Sequence, residues 1–430
     1  MQTDPTRGCP VDAAFDPLSA AFLDDPFAIM AALPLDEAPV FFAPSIGYYV
    51  VTRYRDIEQV FSDPATYSAA VAQAPLVPLA AEAQQILLAG GHKPQPSMVS
   101  LDEPAHARLR KPAARAFAVK RVNDLVPTIR RVAGELLDAV VAAGAAGTAG
   151  AAGAPEFDLV HELAFPLPAS IVFSLMGVPE ADHPRLKRWC GYRAALSWGR
   201  PAPEEQIEIA TNMAAYRAYL RALVESKVAA RADDLASDLL AIHDEDPDRL
   251  TREEIASILF SLSFAGHETT TGLIGNAMRR LLEDPARWDA IVADRALIAP
   301  AIDETLRFDP SVPVWRRVTT RETTLGEVAL PPGARLFLWL AAANRDAGVF
   351  PEPERFDLRR PNADQHLAFG KGLHYCLGAH MGKLEARIAL DELAHRFPDL
   401  RLVPGQRLTF HPNISFRGPQ QLWVRAPPRR

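Results

Sequence analysis

A chain of 430 residues, 48% of them hydrophobic, can bury a large core, and its length alone suggests two or three domains. A net charge of −7 with no lysine/arginine run argues against a nucleic-acid surface, and no apolar stretch reaches membrane-spanning length. The N-terminus lacks a basic-then-apolar signal, and the three cysteines (Cys9, Cys190, Cys376) form neither a disulfide framework nor a paired metal spacing, so a soluble cytoplasmic protein is expected.

Residues 1–20 carry no periodic apolar pattern and are expected to wrap the surface. Tyr48 to Thr52 reads as a short strand, followed by a helix from Tyr54 to Phe61. From Ser68 to Ser100 apolar residues mix with Pro75, Pro78, Pro94 and Pro96, which predicts a long irregular segment with a short helix near Glu82–Leu87. Long loops inside domains are usually functional or mobile. Ala142 to Ala154 is almost all alanine and glycine and reads as a flexible connector.

Thr251-Arg-Glu-Glu254 forms a capping box, with Leu250 and Ile255 at the staple positions. The apolar run continues to Leu282 and stops at Asp284-Pro285, which predicts a helix of about 30 residues and about 45 Å that crosses the domain. Leu330 to Leu340 reads as a turn between short strands, and Leu402 to Val424 also reads as β structure. No composition break divides the chain. The expectation is one mainly-α domain with a small β region spanning residues 1–430.

The densest chemical signal is Phe369-Gly-Lys-Gly-Leu-His374-Tyr-Cys376-Leu-Gly378. A cysteine at a helix start is biased toward thiolate by backbone N–H groups and the helix dipole. The thiolate can be a nucleophile or a metal ligand; most lone cysteines are instead buried and inert. Here three glycines let the backbone pass close to a large flat object, His374 can donate to an anion, and Phe369 can lie against a ring, which favours the ligand.

Other candidates are weaker alone. Ala265-Gly266-His267-Glu268-Thr269-Thr270 sits mid-helix, where Gly266 costs up to about 1 kcal/mol relative to alanine. There the Thr269 hydroxyl can bond the carbonyl four residues back. By itself this segment could equally be a plain kink. His106 and Arg110 share a helical face at i and i+4, as two donors to one anion should, whereas Arg108 points elsewhere toward solvent. Arg316 and Arg317 alternate along a strand, and only one of them can face such an anion. Glu304 and Arg307 pair at i and i+3, with Arg355 following in Pro353-Glu-Arg355-Phe356.

The pattern Phe-x-x-Gly-x-His-x-Cys-x-Gly, with the segments around 106, 268 and 304, resembles the cytochrome P450 family over about Asp16 to Val424. The resemblance implies the mainly-α P450 fold and a bound haem b (iron protoporphyrin IX). Cys376 would be the metal ligand. Phe369, His374, Gly378, Ala265, Gly266, His106, Arg110 and Arg317 would contact the cofactor, with Arg316 as the one-residue alternative for the propionate. Thr269 would hydrogen-bond the oxygen being activated, and Glu268 would relay protons from solvent. His267 falls at a position that varies in the family and is left as a polar neighbour. Glu304, Arg307 and Arg355 would hold the cysteine loop without direct chemistry.

The implied activity is a haem-thiolate monooxygenase that takes O2, a hydrophobic small molecule and electrons from NAD(P)H. Two rivals are a peroxygenase, which tends to lack the acid–alcohol pair, and a non-catalytic gas sensor, which has no need of it. The stretch 93–117 resembles the haem domain of self-sufficient bacterial P450s, which fuse haem to a reductase carrying FMN and a 2Fe–2S module. No four-cysteine pattern exists in this chain, so those cofactors belong to a fused or separate reductase, and 425–430 would begin a linker to it. A monomeric haem domain acting on aromatics, alkyl aryl ethers and alkanes is expected. Its substrate contacts would come from Ala69–Met98, Leu167–Met213, Leu262–Ala265, Ser311–Trp315 and Ile414–Phe416.

Overall fold

The computed structural model describes residues 9–90, 97–145, 156–190 and 192–426. Residues 1–8 of the N-terminal segment, 91–96 of the proline-bearing segment, 146–154 of the alanine/glycine stretch and 427–430 of the expected linker lie outside the described residues.

The helix that organises the molecule is Arg252–Leu282. Its capping box closes as the sequence requires: the Thr251 hydroxyl accepts from the Glu254 N–H at 3.2 Å, and the Glu254 carboxylate accepts from the Thr251 N–H at 2.9 Å. Buried residues occupy every face of this helix, as expected of one that runs through a core rather than along it. Helices Pro166–Met176, Pro203–Ala229, Ile298–Phe308 and Ala379–Arg396 pack around it. The next helix, Pro285–Ala293, starts where the proline predicts, and Asp284 caps it by accepting from the Ala286 N–H at 3.1 Å.

A five-stranded sheet flanks this helical body in the order Val40–Ala43, Tyr48–Val51, Arg335–Trp339, Val314–Thr319, Tyr67–Ser68. Arg316 pairs with Phe337 and Arg317 with Leu336, so the two arginines leave opposite faces of the sheet. The expected strand at Tyr48 and the helix at Tyr54 are present as Tyr48–Val51 and Tyr54–Ser62, and the short helix near Glu82 spans Ala81–Ala89. The C-terminal β expectation holds only at its ends, Arg401–Leu402 and Trp423–Arg425, which join Glu156–Asp158 in a small sheet.

The N-terminal segment departs from expectation. It does more than wrap the surface: Phe15 is buried edge-on against Phe41 and Phe337, with ring centroids 5.3 and 6.0 Å away. The Phe42 N–H donates to the Pro10 carbonyl at 2.8 Å. One aromatic residue without periodicity is invisible to a pattern search but fills a core position. Among the described residues no helix is long and apolar enough to cross a membrane.

Candidate active site

The loop from Leu367 to Gly378 is shaped by close approach of backbones. Gly370 and Gly372 both have φ +67°, and a Cβ on Gly372 would lie 2.6 Å from the Phe61 carbonyl oxygen, so only glycine fits there. The Cys376 N–H donates to the Phe369 carbonyl at 2.9 Å and closes the loop, three residues before helix Ala379–Arg396 begins. Cys376 is half-buried, with its open side on the central cavity. Burial pushes its thiol up, against the opposing effects of the Gly378 N–H and Arg110. The helix start alone therefore does not make the thiolate expected from the sequence; a metal cation bound at the sulfur would supply the missing stabilisation.

Behind the loop lies a saturated charge network. Glu304 and Arg307, both fully buried, pair bidentately at 2.7 and 2.8 Å. The third member is Arg360, not Arg355. The Arg360 Nε donates to both Glu304 oxygens at 3.2 and 3.1 Å, while the Arg355 side chain points outward to Glu352 at 3.3 Å. Arg355 contributes only its carbonyl, which accepts from Arg307 and Arg360 at 3.1 and 2.8 Å. The network reaches the cysteine loop through Asn344: its carbonyl accepts from Arg307 at 3.0 Å, and its side-chain oxygen accepts from the Leu367 N–H at 2.7 Å.

Arg110, Arg317 and His374 converge on the cavity wall, with the buried ring of His106 beside His374. The two imidazoles lie 4.2 Å apart, and the Nε2 of each is buried without a hydrogen-bond partner. Burial, with Arg317, His106 and Arg110 nearby, pushes His374 down to about 3. Arg317 is also depressed, to about 10, by burial, and it forms no ion pair among the described residues. Two orphaned nitrogens and two underpaired guanidiniums fit a dianionic group such as a pair of propionates. Arg316 leaves the opposite face and binds the Ala74 and Ala72 carbonyls at 2.7 and 3.0 Å, which removes it as the propionate alternative. Arg108 is not free in solvent; it pairs with Glu254 and donates to the Arg249 carbonyl at 3.1 Å.

Opposite Cys376, the central helix turns Ala265, Gly266 and Thr269 into the cavity. Ala265 is exposed in the middle of an otherwise buried helix, so it faces internal space. The Thr269 hydroxyl donates to the Ala265 carbonyl at 2.7 Å. Gly266 has a second reason to be glycine, because a Cβ there would meet Val172 at 2.9 Å. Burial raises Glu268 to about 7, poised to exchange a proton near neutrality. His267, buried against Phe165 and Phe173, lies 3.5 Å from Glu268.

One continuous cavity is bordered both by the Cys376 loop and by a largely apolar set of side chains. Each stretch expected to touch substrate contributes to its wall: Gln73 and Met98, Trp198, Leu262, Ser311 with Trp315, and Phe416. The sequence reading missed Phe117 and Glu385. Glu385 has no partner on either oxygen and is raised well above the usual carboxylate range by burial. An acid among the apolar core positions of helix Ala379–Arg396 was its only signal. Among the described residues no three His, Cys, Asp or Glu side chains are grouped so that they could hold a metal ion.

Comparison with known proteins agrees with this geometry. A family model described as cytochrome P450 matches residues 289–411. The vitamin D(3) 25-hydroxylase of Pseudonocardia autotrophica is 35% identical over 419 residues, 96% of this chain and 97% of that protein. An intact type IV self-sufficient cytochrome P450 monooxygenase superposes with TM-score 0.90 at 35% identity, over 97% of this chain and 54% of that one. The cytochrome P450 CREJ in complex with (4-ethylphenyl) dihydrogen phosphate superposes with TM-score 0.89 at 37% identity, over 96% and 99% of the two chains.

Proposed function

This chain belongs to the cytochrome P450 family and is a haem-dependent monooxygenase, and from that premise we propose that it oxygenates a small to medium, mainly hydrophobic substrate. Aromatic hydroxylation, O-dealkylation and alkyl hydroxylation are the reactions meant. The carrying observation is the cavity itself, which is lined by Cys376 and walled by Met98, Trp198, Leu262, Trp315 and Phe416. The aryl phosphate ligand of the CREJ neighbour supports an aromatic body for the substrate.

When bound, the haem supplies the metal at which dioxygen is reduced by two electrons. Cys376 would hold the iron, and His106, Arg110, Arg317 and His374 would hold the propionates. Phe369, Gly378, Ala265 and Gly266 would border the macrocycle. Thr269 holds a proton on a hydroxyl that needs only to leave the Ala265 carbonyl to donate into the cavity. Glu268, protonated near neutrality, would pass a proton toward it and recover one from solvent. Glu304, Arg307 and Arg360 keep the cysteine loop in register. Electrons would come from NAD(P)H through a fused or separate reductase carrying FMN and a 2Fe–2S centre, in keeping with the self-sufficient neighbour. One cytoplasmic, monomeric haem domain is the form proposed.

The test is spectroscopic and kinetic. Reduced protein with carbon monoxide is expected to give the red-shifted Soret band of thiolate ligation, and turnover is expected to require O2 and an electron donor. An unshifted band, or turnover with hydrogen peroxide alone that outpaces the reductase-driven rate, overturns the reading.

A further inference from the structure

On the cavity wall, Gln73 stands among apolar neighbours such as Met98, Trp198 and Leu262. Its neighbours are clamped: Arg316 holds the Ala72 and Ala74 carbonyls, and the Trp198 indole N–H donates to Ala72 at 3.2 Å. Its side-chain oxygen accepts from Arg193 and from the Ser97 hydroxyl at 2.7 Å. Arginine can only donate, so this pairing fixes the amide with its oxygen toward Arg193 and its NH2 outward. That NH2 makes no hydrogen bond among the described residues and is left as a preorganised donor at the cavity wall.

Arg193 itself is unneutralised. No carboxylate pairs with it among the described residues, its Nη1 is buried without a partner, and the charge nearest to it is the like charge of Arg217. Arg217 is already committed to Glu253 and Ser257. The face of Phe260, 5.1 Å from the guanidinium, offers partial compensation only. Outside the described residues the only acidic side chain is Asp4. Burial and Arg217 together depress Arg193 to about 10.

We propose that this corner of the cavity binds an anionic oxygen head group of the substrate, a carboxylate or an oxyanion ester, on the Gln73 amide with the Arg193 guanidinium behind it. The inference rests on the monooxygenase reading and sharpens its substrate class from hydrophobic to amphiphilic: an apolar body toward the metal and an anionic head at Gln73. Electrostatically, the amide orients the group and the uncompensated guanidinium favours the charged form over a neutral isostere.

The experiment measures dissociation constants calorimetrically on haem-loaded protein. The probes are 4-ethylbenzoate, 4-ethylbenzenesulfonate, neutral 4-ethylbenzamide and 1,4-diethylbenzene. In the parent protein at least one anion is expected to bind roughly tenfold or more tightly than the benzamide, and the better of the two identifies the head group. Gln73→Glu supplies an internal counter-ion to Arg193, and Arg193→Met removes the charge. In each variant the ratio of anion to diethylbenzene affinity is expected to fall by about tenfold or more. A parent protein with no preference for either anion over the benzamide overturns the proposal, as does a preference unchanged in Gln73→Glu. The thiolate band with carbon monoxide, recorded on every sample, separates this failure from failure of the monooxygenase reading.

Discussion

Arg307 and Arg193 are both buried arginines, and they are treated in opposite ways. Arg307 spends its donors on Glu304, Asn344, Pro353 and Arg355, all at 2.7–3.1 Å. Arg193 has one neutral partner, Gln73, and an orphaned Nη1. A charge whose needs are met inside the protein serves the fold, because burial becomes tolerable only when every polar atom is satisfied. One whose needs are left open beside a cavity serves something that enters the cavity. The same division separates the two sides of the haem site: the network behind Cys376 is closed, whereas His374, Arg317 and Glu385 on the cavity wall, with His106 beside His374, retain unmatched atoms or charge.

Breaking the closed side should have the largest effect. Glu304→Gln leaves Arg307 and Arg360 buried without an anion, an imbalance expected to cost about 3–5 kcal/mol. Denaturant titration should record that loss, and the haem-to-protein ratio of the purified variant should fall with it. A variant with parental stability and full haem content would mean the network is dispensable and the contrast with Arg193 is empty.

The open side should lose chemistry before stability. Thr269→Ala removes a hydroxyl whose only bond among the described residues is to the Ala265 carbonyl, so folding should change by less than about 1 kcal/mol. Product formed per reducing equivalent should drop on the order of tenfold to a hundredfold. Glu268→Gln should slow turnover to a similar extent, and it carries a signature in pH. The native carboxyl holds its proton up to about 7, whereas an unfolded chain releases it near ~4.3. The native state thus binds more protons across that window, and the stability Glu268 contributes is complete below it and lost as pH rises through the native value. Relative to the parent, Glu268→Gln should gain stability from about pH 4 to about pH 7 and level off above that. Equal denaturation midpoints for parent and variant at both ends would rule out a buried, protonated Glu268.

How much of this was legible in the sequence depended on whether the determinant was local. The cysteine loop, the capping box and the mid-helix Ala265–Thr269 segment each carry their chemistry within ten residues, and the structure brings the loop and the mid-helix segment to one cavity. The choice between Arg316 and Arg317 could be posed from strand alternation but resolved only once the sheet's cavity face was known. Gln73 and Arg193 stand 120 residues apart, with no spacing rule to connect them. Glu385 looked like one more helix charge until packing left both its oxygens without partners.

Gly266 sharpens the comparison at intermediate scale, because it lines the cavity yet is constrained from behind. Gly266→Ala should be destabilising by about 1–2 kcal/mol through overpacking on Val172. Adding Val172→Ala should relieve part of the strain, to be read as a positive coupling in a double-mutant cycle. Purely additive losses would assign the glycine to the cofactor side alone.

The smallest effect belongs to Arg355, and it tests the contrast most cleanly. The chain after Phe356 turns back on itself: the Asp357 N–H donates to Glu304 at 2.8 Å, and the Arg360 N–H donates to the Asp357 carbonyl at 3.1 Å. That turn swings Arg360 inward and leaves the Arg355 side chain 62% exposed beside Glu352. A surface pair of this kind contributes little, so Arg355→Ala should alter stability by less than about 0.5 kcal/mol and leave haem content unchanged. Arg360→Met, by contrast, strips Glu304 of one of its two cationic partners and should approach the cost of Glu304→Gln. Thermal midpoints of the two variants, measured side by side, should therefore differ widely although both remove one arginine from the same turn. Reversed midpoints would return Arg355 to the third place in the network and put Arg360 at the surface.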